Sequence, residues 1–202
     1  MYFRCSMNKK RDQRFALILL SQLAIVAVGM FLIWVFSVQI PGAHIERLNA
    51  VAIGTLLAIV TFLLFAVIYR FGGKFAQALL NDTRRVSGIF SGYSWVHLAC
   101  VAALAGVGEE LLFRGFLQTW LSNHFTITWA ILIASIIFGL LHYLSHAYFI
   151  SVTLMSVAFG VTYYIMDSLL MVMVWHAVYD FIALVVLVKY PGLVRMTLVK
   201  GH

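Results

Sequence analysis

The sequence predicts an all-helical protein, a polytopic bundle of six to seven membrane-crossing helices around a buried polar site. Three observations predict it. Of the 202 residues, 63% are hydrophobic and 10% charged, with a mean hydropathy of +0.99, whereas soluble domains are about 45–50% apolar. The apolar runs exceed the roughly 20 residues that cross a bilayer as a helix. They do not alternate with period two, which excludes a barrel, and lipid leaves the backbone no third choice. Finally, Glu109, Glu110 and Arg114 are the only Asp, Glu, Lys or Arg residues between Arg85 and Asp167. A charge at the bilayer centre costs about 2.5–3.5 kcal/mol on insertion scales, so three together mark a functional site inside the bundle.

Four segments follow from the chain in order. Residues 1–14 form a basic tail, with Arg4, Lys9, Lys10, Arg11 and Arg14 against Asp12. Residues 15–85 hold two spans and a basic loop. The uncharged run Phe15–Val38 is longer than the 7–15 residue core of a secretory signal and has no small-residue cleavage site after it, so it reads as a retained first span. Gln39-Ile40-Pro41-Gly42 is a turn, Leu48–Tyr69 is the second span, and Lys74–Leu80 reads as a short helix on the membrane surface. Residues 86–190 form a helical core. Val86–Gly108 is long enough to span, but Gly88 and Gly92 put its ordered start near Tyr93. A separate helix runs from about Glu109 to Trp120, and spans follow over 127–146, 147–166 and 168–188. Residues 191–202 form a tail. Cys5 and Cys100 read as free thiols.

The net charge of +7 is not a nucleic-acid signature, because the cations cluster beside apolar runs, as in contact with an anionic leaflet. The positive-inside rule puts the N-terminus and residues 70–92 in the cytoplasm and the 39–48 turn outside. Lys189, Arg195 and Lys200 favour the inside too. Five apolar helices after Arg85 would leave that tail outside, unless the 86–108 run or the motif helix fails to cross.

The polar groups within spans form a constellation. Glu109 and Glu110 start one helix after Gly106-Val107-Gly108. His142 ends another after Phe138, and His176 and Asp180 share a face of the last by their i,i+4 spacing. Glu110 and Arg114 are also i,i+4, acid before base, and a buried arginine needs a carboxylate because it keeps its proton. This assigns Arg114 to Glu110 as a structural pair. Glu109, about 100° round the helix, is left free. A helix N-terminus would favour its anion and burial would oppose it, a balance that suits a general base.

Glu-Glu-x-x-x-Arg, Phe-x-x-x-His and His-x-x-x-Asn/Asp, in that order, resemble the CPBP family, the CAAX prenyl-protease and bacteriocin-processing membrane proteins also called Abi. The likeness covers about 106–180. It implies a multi-pass protein of a prokaryotic inner membrane that acts as an intramembrane endopeptidase on a membrane-embedded peptide or protein. Glu109 and His142 would activate a water, and His176 with residue 180 would stabilise the oxyanion. The chain departs from the family at one point, since an ionised Asp180 only accepts hydrogen bonds where Asn would donate. Asp180 is then expected to orient His176. Phe138 would shape the pocket wall. The family is usually called a metalloprotease. Glu109, His142 and His176 would suit Zn²⁺ or another divalent cation, but a water activated by glutamate without metal would also work.

Other chemistries fit less well. His-Glu-x-x-His is absent, the order and acid of a presenilin-type pair are wrong, and Ser145 and Ser151 lack a strained turn. The alternative from another class is a non-catalytic membrane protein that confers bacteriocin immunity by binding a peptide or its receptor. Among the remaining polar groups, His146 reads as interfacial, His97 as an interhelical partner, and His44, His124 and His202 as exposed. Asp167 with Ser168 reads as the cap of the last helix.

Overall fold

The computed structural model describes residues 2–192, with side chains from residue 11 onward. The tail residues Arg195, Lys200 and His202 lie outside the described residues, as does the side chain of Cys5; Cys100 is free and exposed. Among the described residues there are seven helices and no strand: α1 Tyr2–Val35, α2 Arg47–Phe71, α3 Gly73–Ile89, α4 Trp95–Ser122, α5 Ile127–Leu141, α6 His146–Met166 and α7 Leu169–Lys189. Five stretches are long and apolar enough to cross a membrane: Arg11–Val35, α2, α4, α6 and α7; α5 is apolar but shorter.

Two expectations are corrected. The 86–108 run and the motif helix are not separate elements. Residues 86–89 end α3, and Trp95–Ser122 is one helix, π-helical over Leu111–Gln118. Gly106 does not break it, because that glycine serves packing. A Cβ there would meet Ala177 at 2.7 Å, so α4 and α7 approach almost backbone to backbone. Small residues at contacts are how helices associate when lipid supplies no hydrophobic drive between them. Asp167 does not cap α7. It ends α6 in the left-handed region at φ 47°, and Ser168 accepts the hydrogen bond from Met171 N at 3.3 Å.

α7 is the central element and packs along both α2 and α4. Large apolar side chains such as Leu17, Leu56, Leu63 and Leu64 point outward from α1 and α2, as lipid-facing residues do. α3 is amphipathic: Ala76, Leu79 and Leu80 are buried, and Lys74, Arg84 and Arg85 are exposed. It is longer than the expected surface helix over 74–80.

The cationic segments meet at one end of the bundle. Tyr93 donates to Arg11 O at 3.2 Å and accepts, through its own carbonyl, from Lys189. The turn before α4 is thereby tied to the starts and ends of its neighbours. At another connection His44 Nε2 lies 3.4 Å from Asp167 Oδ2, joining the loop before α2 to the α6–α7 turn. His97, as expected, bridges helices: its ring stacks on Tyr93 and meets the Phe15 ring of α1 edge-on. His146 is exposed and bonded to the Tyr143 hydroxyl at 3.0 Å, away from the polar cluster.

Candidate active site

The site is built on α4, because that helix carries two acids and one arginine into the protein interior. Glu110 and Arg114 are 0% and 1% exposed, Glu109 9% and His176 5%. Arg114 Nη1 donates to Glu110 Oε1 at 3.0 Å, the expected pair. Its Nη2 donates to both the carbonyl and the hydroxyl of Ser156 on α6, each at 2.7 Å. The guanidinium lies 5.3 Å from the Phe138 and Phe159 ring centres, so it is held between two aromatic faces. One turn on, Gln118 Nε2 donates to Gly160 O at 2.9 Å. A π-helical stretch frequently lies at a functional site, and here it carries Arg114 and Gln118 against α6.

Glu110 does more than pair with Arg114. His176 Nδ1 donates to the same Oε1 at 2.8 Å, since a carboxylate beside a guanidinium only accepts. That bond places a proton on Nδ1, fixes the ring orientation and leaves Nε2 turned toward Glu109 Oε2 at 3.9 Å and Asp180 Oδ2 at 3.5 Å. The His176 ring stacks on Phe159 at 5.3 Å. Arg114, Glu110 and His176 therefore form one chain of charge-assisted hydrogen bonds from Ser156 to the polar cluster around Glu109.

His142 caps the C-terminal end of α5. Its Nδ1 donates to Phe138 O at 2.8 Å, and its ring stacks on Phe138 at 4.4 Å. Nε2 is thus the free acceptor, and it faces Glu109 Oε2 at 3.5 Å. Glu109 sits near the middle of a continuous helix rather than at its N-terminus, so the amide dipoles that were expected to hold its charge are already bonded in the preceding turns.

Glu109, Phe138, His142, His176 and Asp180 all line one cavity of about 250 Å³. Besides Phe138, its apolar wall comes from residues not singled out as site residues in the sequence, including Phe65 on α2, Leu79 and Val86 on α3, and Phe90 just after it. The cavity thus reaches the helix that carries the 74–85 cations. Sequence reasoning also missed Ser156, Phe159 and Gln118. The first two had a signal in the buried series Ser156, Phe159, Gly160, Tyr163 along one face of α6. Gln118, eight residues from Glu110, continues the Glu110–Arg114 face. Among the described residues no group of three His, Cys, Asp or Glu is arranged to hold a metal ion.

Residues 91–182 match the family model described as type II CAAX prenyl endopeptidase Rce1-like. Comparison with curated proteins and with solved structures found no match.

Proposed function

We propose, for a chain whose residues 91–182 match the Rce1-like family model, that it is an intramembrane endopeptidase cutting a membrane-associated peptide by a water activated between Glu109 and His142. The observation that carries this is Glu109 Oε2 set 3.5 Å from the free Nε2 of His142 inside a cavity. Two acceptors facing each other call for a donor, and a water giving one hydrogen to each is the smallest that serves. Glu109 takes the proton as that water attacks the scissile carbonyl. His176, its Nδ1–H held by Glu110 and its Nε2 facing the Glu109 and Asp180 carboxylates, carries a second proton on Nε2 in this proposal and donates it as a hydrogen bond to the developing oxyanion. No three of the described His, Cys, Asp and Glu residues are arranged to hold a metal ion, and the proposed step uses Glu109, His142 and water. The substrate class is a CAAX-type C-terminus or a leader or sorting signal.

The test is cleavage of a farnesylated, internally quenched CAAX peptide by purified protein. Glu109→Gln and His142→Ala are expected to lose nearly all activity while melting no lower than wild type. Cleavage at the wild-type rate by either would end the proposal.

Asp180 is proposed to assist rather than to act as base. Its carboxylate is 3.5 Å from His176 Nε2, but Glu110 already fixes the other ring nitrogen. Asp180→Asn keeps a hydrogen-bonding group there and adds a donor. We expect kcat/KM within about tenfold of wild type, the span of roughly one hydrogen bond. A loss as large as that of Glu109→Gln would make Asp180 the base.

The proposed topology has six crossings with both ends cytoplasmic. Four apolar helices after residue 92 return the chain to its starting side, and the contacts of Tyr93 with Arg11 and Lys189 support that. α5 has 15 residues, about 22 Å at 1.5 Å per residue, and crosses a locally thinned layer. In intact cells, a lone cysteine at Glu46→Cys is expected to react with an impermeant thiol reagent, and one at Lys74→Cys only after permeabilisation. The reverse pattern would overturn the orientation.

A further inference from the structure

The oxyanion has one donor among the groups described so far. Glu109 and Asp180 are carboxylates and His142 turns an acceptor nitrogen toward Glu109, so only His176 donates. A charge that develops away from water is held by preorganised donors, each worth about 10²–10³ in kcat. The side chains that line the cavity with hydroxyls are Tyr69, Thr83, Ser87, Tyr148, Ser151 and Tyr179. Thr83 and Ser87 are spent inside α3, donating to Leu80 O and Arg84 O at 3.0 Å each. Tyr69 and Tyr179 pack their rings on Phe65, at 6.3 and 5.7 Å between centroids, and so stand against α2.

Tyr148 differs in its place and in its neighbours. It is the third residue of α6, and its amide donates at 3.2 Å to the Ser145 hydroxyl that caps the helix. His142 follows the last residue of α5, so one short turn roots both side chains at the same end of the cavity. The Tyr148 hydroxyl has no hydrogen-bond partner among the described residues, and it is not one of the unpaired atoms closed off from open space. The groups that act on it electrostatically come from four other helices: Glu109 on α4, Asp180 on α7, Tyr69 on α2 and Asp82 on α3. A hydroxyl reached from four helices points into the bundle. Those acting on Tyr179 are Tyr69, Asp180 and Tyr148, without Glu109. Ser151, one turn further along α6, is buried, and its short side chain keeps its hydroxyl at the helix surface. Tyr148 is therefore the open donor beside the base, and a phenol keeps its proton at neutral pH.

Building on the endopeptidase reading, we infer that Tyr148 is a catalytic residue whose hydroxyl, together with the Nε2–H of His176, holds the oxygen of the scissile carbonyl. Water attacks the carbonyl carbon, Glu109 takes one of its protons, and the C=O π pair moves onto that oxygen. The two donors meet the charge as it forms. Collapse re-forms the C=O bond and breaks the C–N bond, and the proton on Glu109 goes to the leaving amine. Tyr148 keeps its own proton throughout and contributes a hydrogen bond that strengthens in the transition state.

The experiment measures kcat and KM for the farnesylated, internally quenched CAAX peptide with wild type, Glu109→Gln, Tyr148→Phe, Tyr179→Phe and Ser151→Ala, each full-length in detergent, with melts of all. Each is also inhibited with a phosphonamidate of the same peptide, whose anionic oxygen imitates the oxyanion. Tyr148→Phe is expected to lower kcat about 10²-fold, the loss of one oxyanion donor, with KM within about threefold of wild type. It should weaken the phosphonamidate by about the factor lost in kcat/KM. It should melt no lower than wild type, because the lost hydroxyl has no partner to strand. Tyr179→Phe and Ser151→Ala should keep kcat within about threefold. A wild-type kcat in Tyr148→Phe, a rise in KM alone, or undiminished phosphonamidate binding would overturn the role of Tyr148 while leaving the endopeptidase standing. A lower melting temperature would make the hydroxyl structural, and an equal kcat loss in Tyr179→Phe or Ser151→Ala would spread the effect over the cavity wall; either overturns it too. If wild type does not cleave, or Glu109→Gln cleaves equally well, the endopeptidase reading falls and this inference with it.

Discussion

Glu109→Gln is expected to lower kcat by about 10²–10⁴-fold, the share usually carried by a positioned general base, while the protein melts at or slightly above the wild-type temperature. The two halves of this result have separate causes. An amide cannot take a proton from water, so the chemical step loses its acceptor even though the side chain keeps its size. Stability is spared because Glu109 has no guanidinium of its own. Arg114 hydrogen-bonds to Glu110 and Ser156, and the nearest groups to Glu109 are the imidazoles at 3.5 and 3.9 Å. Removing a nearly buried charge that lacks a dedicated cation relieves desolvation. KM should change little, because the substitution leaves the cavity wall intact. A variant with normal kcat and a depressed melting temperature would place Glu109 in the scaffold and leave the site without a base.

Arg114→Ala is expected to have the largest effect on stability, about 3–5 kcal/mol, with activity lost as well. Its removal strands the fully buried Glu110, whose Oε2 already lacks a partner, and leaves the Ser156 hydroxyl without its donor. It also empties the space between Phe138 and Phe159. Breaking a buried pair by removing one member leaves an uncompensated charge, whereas replacing both with apolar groups of similar volume is often neutral. The double variant Glu110→Leu with Arg114→Met should therefore melt well above Arg114→Ala. It should stay inactive, because His176 Nδ1 then has no acceptor. Thermal melts in detergent, paired with the peptide assay, separate the two effects. A stable Arg114→Ala would show that the network carries little of the fold's stability. Activity in the double variant would show that His176 needs no orienting group.

The sequence by itself determined the class of fold and the ingredients of the site. Uninterrupted apolar runs in lipid admit only helices, because no water is present to satisfy an open backbone. Three charges in such a run had to be buried and grouped, and the i,i+4 spacing of Glu110 with Arg114 is a local property of any helix, borne out at 3.0 Å. Tertiary packing decided the rest, because helical period names a face but not the neighbour that covers it. Gly106-Val107-Gly108 reads as a break before a new helix, and only the approach of α7 and α1 made the two glycines contacts. That choice turned two expected helices into one and moved Glu109 from a helix start to a helix middle. Glu110 was expected to serve Arg114 alone; its bond to His176 spans 66 positions of sequence, and no local pattern encodes it. Ser156, Phe159 and the α3 wall entered the site in the same way, from helices whose order in the chain does not say which of them will touch.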